Sequence, residues 1–267
     1  MNNLAFLGAG NMSTGIIKGL LSSQIILANH ITLTASTVTR SEEKAKALGV
    51  DFSKTNESLI QQADVIILGA KPQVLTTVLP SIPSSLWEHK LIISIAAGLT
   101  IDQLRDYTFS EAKIARVMPN MNIGIQKSVS GLAFSDNITD EEQAYVKTLF
   151  NAVGSSYVID EKEFPTFTAI AGCSPAFTAL YVDGLSRAAV AQGLPLQLSR
   201  EIVIDAMIGT LLNLKENQTA PWELINQICS PGGTTIQGIA SLEKDRLTST
   251  LFNAINATID RDQELSK

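Results

Sequence analysis

The stretch that most constrains the fold is Leu4-Ala5-Phe6-Leu7-Gly8-Ala9-Gly10-Asn11-Met12-Ser13-Thr14-Gly15. An apolar run of strand type meets two closely spaced glycines, and a helical pattern follows. Gly8 lets the chain turn sharply after the strand. Gly10 has no Cβ, so a pyrophosphate can approach the backbone there. A helix opening near Asn11 and Met12 presents unpaired N–H groups and the positive end of its dipole to such an anion. The third glycine of the usual fingerprint is missing, and Ser13 stands in its place. Small residues also make ordinary tight turns. This one opens a strand–helix–strand pattern, which predicts the first turn of a dinucleotide-binding fold.

From Leu4 to about Ile159, strand and helix patterns alternate. Ile31–Ala35, Val65–Ala70 and Leu91–Ile95 read as strands, followed by Ala115–Val117, Val129–Phe134 and Tyr157–Ile159. Ser41 is the expected N-cap of a helix over 42–48, with Gly49 as its stop, and a further helix spans 140–152. Alternation of this kind predicts a doubly wound, Rossmann-type parallel sheet with helices on both faces. After Glu163 the pattern becomes helical throughout. Phe164–Gln192 reads as one long alanine-rich helix ended by Gly193-Leu194-Pro195, with further helices over 198–215, 221–228, 234–242 and 245–264. The expected division is a dinucleotide-binding domain over 1–161 and an all-helical domain over 162–267. A helix as apolar as the first of these is expected inside a larger core or at a subunit interface.

Composition narrows the function. The formal net charge of −6, with no basic cluster, argues against nucleic acid as a partner. Cys173 and Cys229 are far apart and only two histidines are present, so no zinc spacing assembles and no metal is expected. No apolar run reaches the length of a membrane span. Met1 leads almost directly into the first strand with no basic n-region, so no signal peptide is expected. A soluble cytoplasmic protein acting on a small molecule fits these features.

Three further segments carry chemistry. The end of the second strand, Ala35-Ser36-Thr37-Val38-Thr39-Arg40, lacks the acid that binds ribose hydroxyls in NAD-specific sites. Hydroxyls plus Arg40 suit a 2′-phosphate, which selects NADPH, with NADH as the alternative. Ala70-Lys71-Pro72-Gln73 follows a buried strand, so this turn faces the cofactor, and Pro72 stiffens it. A cation at a helix start works against the dipole, which favours a ligand contact for Lys71. Ser230-Pro231-Gly232-Gly233-Thr234-Thr235 enters a helix with bare N–H groups and two hydroxyls. It either holds a small carboxylate or is a plain inter-helix turn; spacing leaves both open. In Thr168–Phe177, Gly172, Ser174 and Pro175 interrupt the helical pattern. Taken alone, that segment reads as a kinked core helix.

Together these motifs resemble the pyrroline-5-carboxylate reductase family over essentially the whole chain. The resemblance rests on Gly8-Ala9-Gly10-Asn11-Met12, Ala70-Lys71-Pro72-Gln73, Ile95-Ala96-Ala97-Gly98 and Arg116-Val117-Met118-Pro119-Asn120. It continues through Gly172-Cys173-Ser174-Pro175-Ala176-Phe177 and the specific signature from Pro221 through Cys229-Ser230-Pro231-Gly232-Gly233-Thr234-Thr235 to Leu242. Cys173, Ser174 and Phe177 depart from the common family form Gly-Ser-Gly-Pro-Ala-Tyr, which bears on substrate fit near that turn. The resemblance implies a Rossmann domain followed by helices that interlock with a second subunit, with dimers gathered into a ring. It implies NADPH-dependent reduction of 1-pyrroline-5-carboxylate to proline. Gly232, Gly233, Thr234 and Thr235 would hold the substrate carboxylate, and Thr168 would offer a hydroxyl near the substrate nitrogen. Gly8, Gly10, Asn11, Met12, Ser36, Thr37, Arg40, Asn56, Ala70, Lys71 and Pro72 would bind the cofactor, Asn56 at its adenosine end.

Three rival functions share parts of this pattern. A hydroxyacid dehydrogenase of this build needs a lysine on the long helix, and none lies between Lys162 and Lys215. A related reductase acting on a different cyclic imine is a stronger rival than the dehydrogenase. A regulatory protein that kept the fold without turnover draws support from Cys173 and Ser174.

Overall fold

The structure is a computed structural model and describes residues 3–265. Its first part is built on an eight-stranded sheet in the order β3-β2-β1-β4-β5-β6-β7-β8. The strands are β1 (Leu4–Leu7), β2 (Ile31–Thr34), β3 (Asp51–Phe52), β4 (Val65–Leu68), β5 (Leu91–Ser94), β6 (Lys113–Met118), β7 (Ser128–Phe134) and β8 (Gly154–Val158). Between them lie α1 (Asn11–Ser22), α2 (Val38–Leu48), α3 (Asn56–Gln62), α4 (Pro72–Val78), α5 (Ile101–Tyr107) and α6 (Asp140–Asn151). Side chains alternate across a strand, so each all-apolar strand feeds two cores. Val65 and Ile67 of β4 join Ile16, Ile17 and Leu20 of α1 and Phe150 of α6 on one face. Ile66 and Leu68 join Leu59 and Ile60 of α3, Leu75 of α4 and Trp87 on the other.

The expected doubly wound sheet is present, with three local differences. β7 runs antiparallel to β6, whereas the other neighbouring pairs are parallel. A parallel return needs a crossover of about a dozen residues or more. Residues 119–127 provide only a short 3₁₀ turn, so the chain doubles back. The two-residue β3 is too short to leave a periodic signature. The third difference is the start of α2, which begins at Val38 with Thr37 as its cap, accepting from the Arg40 N–H at 3.2 Å. Ser41 is buried inside the helix instead, where its hydroxyl donates to the Thr37 carbonyl and accepts the Ala35 N–H.

From Glu161 onward the chain is helical. The expected single helix over 164–192 is in fact α7 (Phe164–Phe167), a π-helical turn (Thr168–Cys173) and α8 (Ser174–Ala191). Glycine and proline break regular helix, and Pro175 falls in the first turn of α8 where its missing N–H is tolerated. Then come α9 (Leu196–Asn217), α10 (Pro221–Ile228), α11 (Thr234–Lys244) and α12 (Leu247–Leu265). The start of this region is tied to the sheet by Arg116 of β6. Its guanidinium lies 2.9 Å from Glu161 and stacks over the Phe164 ring, and Glu161 also accepts the Ile101 N–H at 2.8 Å.

The chain divides into two compact units, one running to Gly172 and joined by the segment from Ile259, the other Cys173–Thr258. Within the second unit, the buried described residues are Ser186 and Ser199, whose hydroxyls bond back to Val182 and Pro195. Its large apolar side chains are exposed instead, among them Leu180 at 72%, Leu211 at 56% and Phe252 at 68%. Helices with no apolar interior of their own need another surface to cover them. A mass of at least two chains is therefore expected by light scattering at low micromolar concentration; a monomer of undiminished activity would refute it. Among the described residues, no helix is long and apolar enough to cross a membrane.

Candidate active site

The order of the sheet reverses between β2-β1 and β4, which opens a crevice at the carboxyl ends of these strands. The turn after β1 is held at its floor. Gly8 and Ala9 donate to the Thr34 carbonyl at 3.1 and 2.9 Å, and Gly69 and Ala70 donate to the Leu7 carbonyl at 2.9 and 3.1 Å. Gly8 has φ +97, and a Cβ there would fall 2.6–2.8 Å from Ala70 atoms, so only glycine fits. The missing third glycine also has an explanation. The buried Ser13 hydroxyl donates to the Gly8 carbonyl at 2.7 Å, and it occupies the space that a Cβ on Gly69 would take. Gly10 differs from Gly8. A Cβ on it would meet only the Gly69 carbonyl at 3.7 Å, so packing within the protein does not require glycine there.

Gly8, Gly10, Asn11, Ser36, Arg40, Asn56, Ala70 and Lys71 all line one cavity of about 600 Å³. Gly10 is also the N-cap of α1 and supplies no side-chain cap, so the first N–H groups of that helix face the crevice unclaimed. Asn56 accepts the Thr34 hydroxyl through Oδ1 at 3.0 Å, which leaves its Nδ2 as a donor for the cavity. Met12, Thr37 and Pro72 do not line it. The Thr37 hydroxyl is engaged as the cap of α2, and Pro72 opens α4 directly after Lys71.

Lys44 also lines the cavity, and sequence reading did not single it out. It lies four residues after Arg40 on α2, so both side chains share one helix face. That spacing was the available signal. Arg40, Lys44 and Lys71 take part in no ion pair among the described residues. Three cations at one crevice, in a chain of net charge −6, fit a phosphorylated dinucleotide.

The other candidate residues fall elsewhere. Thr168, half-buried, opens the π-helical turn in the first unit. The Gly232–Thr235 loop belongs to the second unit. Gly232 has φ +70, a backbone conformation that favours glycine, and a Cβ on Gly233 would meet the Ser230 hydroxyl at 2.4 Å, so a larger residue at 233 would need the Ser230 side chain to swing aside. Gly233 is the N-cap of α11 and offers no side-chain acceptor, which leaves the N–H groups of the first turn and the exposed Thr234 and Thr235 free for an anion.

Known proteins match this architecture from end to end. Residues 161–265 match the family described as pyrroline-5-carboxylate reductase dimerisation, and residues 3–98 match NADP oxidoreductase, coenzyme F420-dependent. A pyrroline-5-carboxylate reductase from Arabidopsis thaliana is 31% identical over 264 residues, covering 99% of this chain and 95% of the relative. The crystal structure of 1-pyrroline-5-carboxylate reductase from Streptococcus pyogenes matches with a TM-score of 0.87 at 37% identity and covers 98% of each chain. Plasmodium falciparum pyrroline carboxylate reductase, solved with NADP bound, matches with a TM-score of 0.88 at 29% identity, over 100% of this chain and 98% of that one. The dinucleotide crevice and the helical second half are thus parts of one shared design, and the chain belongs to the pyrroline-5-carboxylate reductase family.

Proposed function

We propose that the chain reduces 1-pyrroline-5-carboxylate to L-proline with NADPH, the last step of proline biosynthesis. The observation that carries this reading is one crevice with a bare helix start, Ser36 and three cations, in a chain similar over its full length to reductases of that name. Bound NADPH supplies the hydride that adds to the C=N carbon of the ring. The ring nitrogen, protonated beforehand, takes the released electron pair, so the protein needs no strong general acid. Its own residues orient the reactants and stabilise charge. The first turn of α1 and Lys71 hold the pyrophosphate, and Ser36, Arg40 and Lys44 hold the 2′-phosphate. Asn56 binds near the adenosine. Gly232, Gly233, Thr234 and Thr235 hold the substrate carboxylate, and the Thr168 hydroxyl meets the ring nitrogen. Two copies pair through the helices of the second half, the dimers assemble into a ring, and the enzyme works in the cytoplasm.

Mixing the protein with NADPH and 1-pyrroline-5-carboxylate should bleach the NADPH absorbance and yield proline in equal amount. No bleaching would overturn the reading, and faster turnover of a six-membered cyclic imine would reassign the substrate. Charge-assisted contacts to a partly solvated phosphate are modest, so Arg40→Ala should raise the KM for NADPH about fivefold to tenfold. The KM for NADH, which has no 2′-phosphate, should stay within about twofold of the wild-type value by the same argument. An equal change for both cofactors would remove Arg40 from the 2′-phosphate site.

A further inference from the structure

The motif Arg116-Val117-Met118-Pro119-Asn120 ends on a residue to which the reaction assigns no role. Asn120 lies two residues beyond β6, at the carboxyl end of the sheet, and is 5% exposed. Its side-chain amide has one possible orientation. Oδ1 accepts the Asn122 N–H at 3.1 Å and the Val129 N–H at 3.4 Å, while its own backbone N–H donates to the Ser128 hydroxyl at 3.1 Å. Nδ2 is thereby directed at the carbonyl of Ala171 and donates to it at 2.9 Å.

Ala171 sits within the π-helical turn and is itself buried. In a regular helix its carbonyl would accept the N–H four residues later, but that residue is Pro175, which has none. A buried carbonyl without a partner is costly, so one that has lost its regular helical donor is stabilised by a donor from outside the helix. Asn120 provides it across 51 residues of chain. The turn is packed against the same strand end. A Cβ on Gly172 would touch both Thr168 Cγ2 at 3.6 Å and Met118 Cε at 3.8 Å. Wide turns of this kind recur at functional sites because they re-aim side chains within a helix.

We infer that Asn120 is a positioning residue: by holding the Ala171 carbonyl, it keeps the π-helical turn in the shape that aims Thr168. This rests on the reading that the Thr168 hydroxyl meets the substrate nitrogen. The test compares Asn120→Ala alone with the double variant Asn120→Ala/Pro175→Ala. The second change gives the Ala171 carbonyl a donor within the helix but lets the turn relax toward regular α-helix. Asn120→Ala should lower the thermal midpoint and reduce kcat about tenfold or more, with the KM for NADPH within about twofold of wild type, since misplacing one reacting partner costs rate more than cofactor binding. The double variant should regain the midpoint while kcat stays low.

Full kcat in Asn120→Ala would overturn the inference, as would recovery of kcat together with the midpoint in the double variant. Either result would make Asn120 purely structural. A double variant no more stable than Asn120→Ala, including one that fails to fold, would also overturn it, because a donor to Ala171 would then not be what Asn120 supplies. Thr168→Val is measured beside them. Full kcat there would end the hydroxyl assignment, whereas the hold of Asn120 on the turn is judged by its own kcat and midpoint.

Discussion

Gly8→Ala is expected to cost about 3 kcal/mol of folding stability, whereas Gly10→Ala, two residues on, should leave the thermal midpoint unchanged and raise the KM for NADPH about tenfold or more. The two glycines are required by different things. An L-residue at φ +97 is strained, and the added Cβ would lie within 2.8 Å of Ala70, on the backbone that joins β4 to α4. A Cβ on Gly10 meets no atom of the protein closer than 3.7 Å, so folding does not sense it. It does project into the space where the pyrophosphate must approach the helix start. Chemical denaturation and NADPH titration of both variants check this. Equal stability losses, or an unchanged KM for NADPH in Gly10→Ala, would mean that the anion does not sit on this turn.

The second large effect concerns Thr235. A carboxylate loses its water shell when a site closes, and hydrogen bonds must replace it. Gly233 brings no side-chain acceptor to the start of α11, so the N–H groups there are available and the Thr235 hydroxyl adds another donor. Thr235→Val keeps the shape and removes that donor. A hydrogen bond to a charged group is worth roughly 1.5–3 kcal/mol, so kcat/KM for the imine should fall about tenfold to a hundredfold. NADPH affinity should stay as it was, because the cofactor crevice is formed by residues of the first unit. Full activity, or a weakened hold on NADPH instead, would reduce the loop to a turn between helices.

What could be read in the chain without coordinates was set by short-range rules. β4 is apolar at every position because both of its faces are covered, and that run is visible in Val65-Ile66-Ile67-Leu68. The turn at Gly8 is a property of a few consecutive residues, so its position was legible. The crevice residues Ser36, Arg40, Asn56 and Lys71 come together because parallel strands bring their carboxyl ends to one edge, which the alternating pattern already implies.

Competition between neighbours was not legible. Thr37 and Ser41 both have capping chemistry, and the choice fell to Thr37 because Ser41 is buried against the Ala35 N–H and the Thr37 carbonyl. Lys44 was missed because only the fold shows that it lines the same crevice as Arg40, and a lysine on an amphipathic helix looks like any solvated one.

The amino-acid sequence by itself determined the sheet, its glycine turn, the helical second half and the family, because periodicity, turn chemistry and capping act over a few residues. Tertiary structure alone decided the shape of the turn at Thr168 and the donor to Ala171. Those depend on groups distant in the chain: Asn120 meets Ala171 across 51 residues. A proline that removes an N–H announces that a helix must break, but not which buried amide, brought there by the sheet, will take its place.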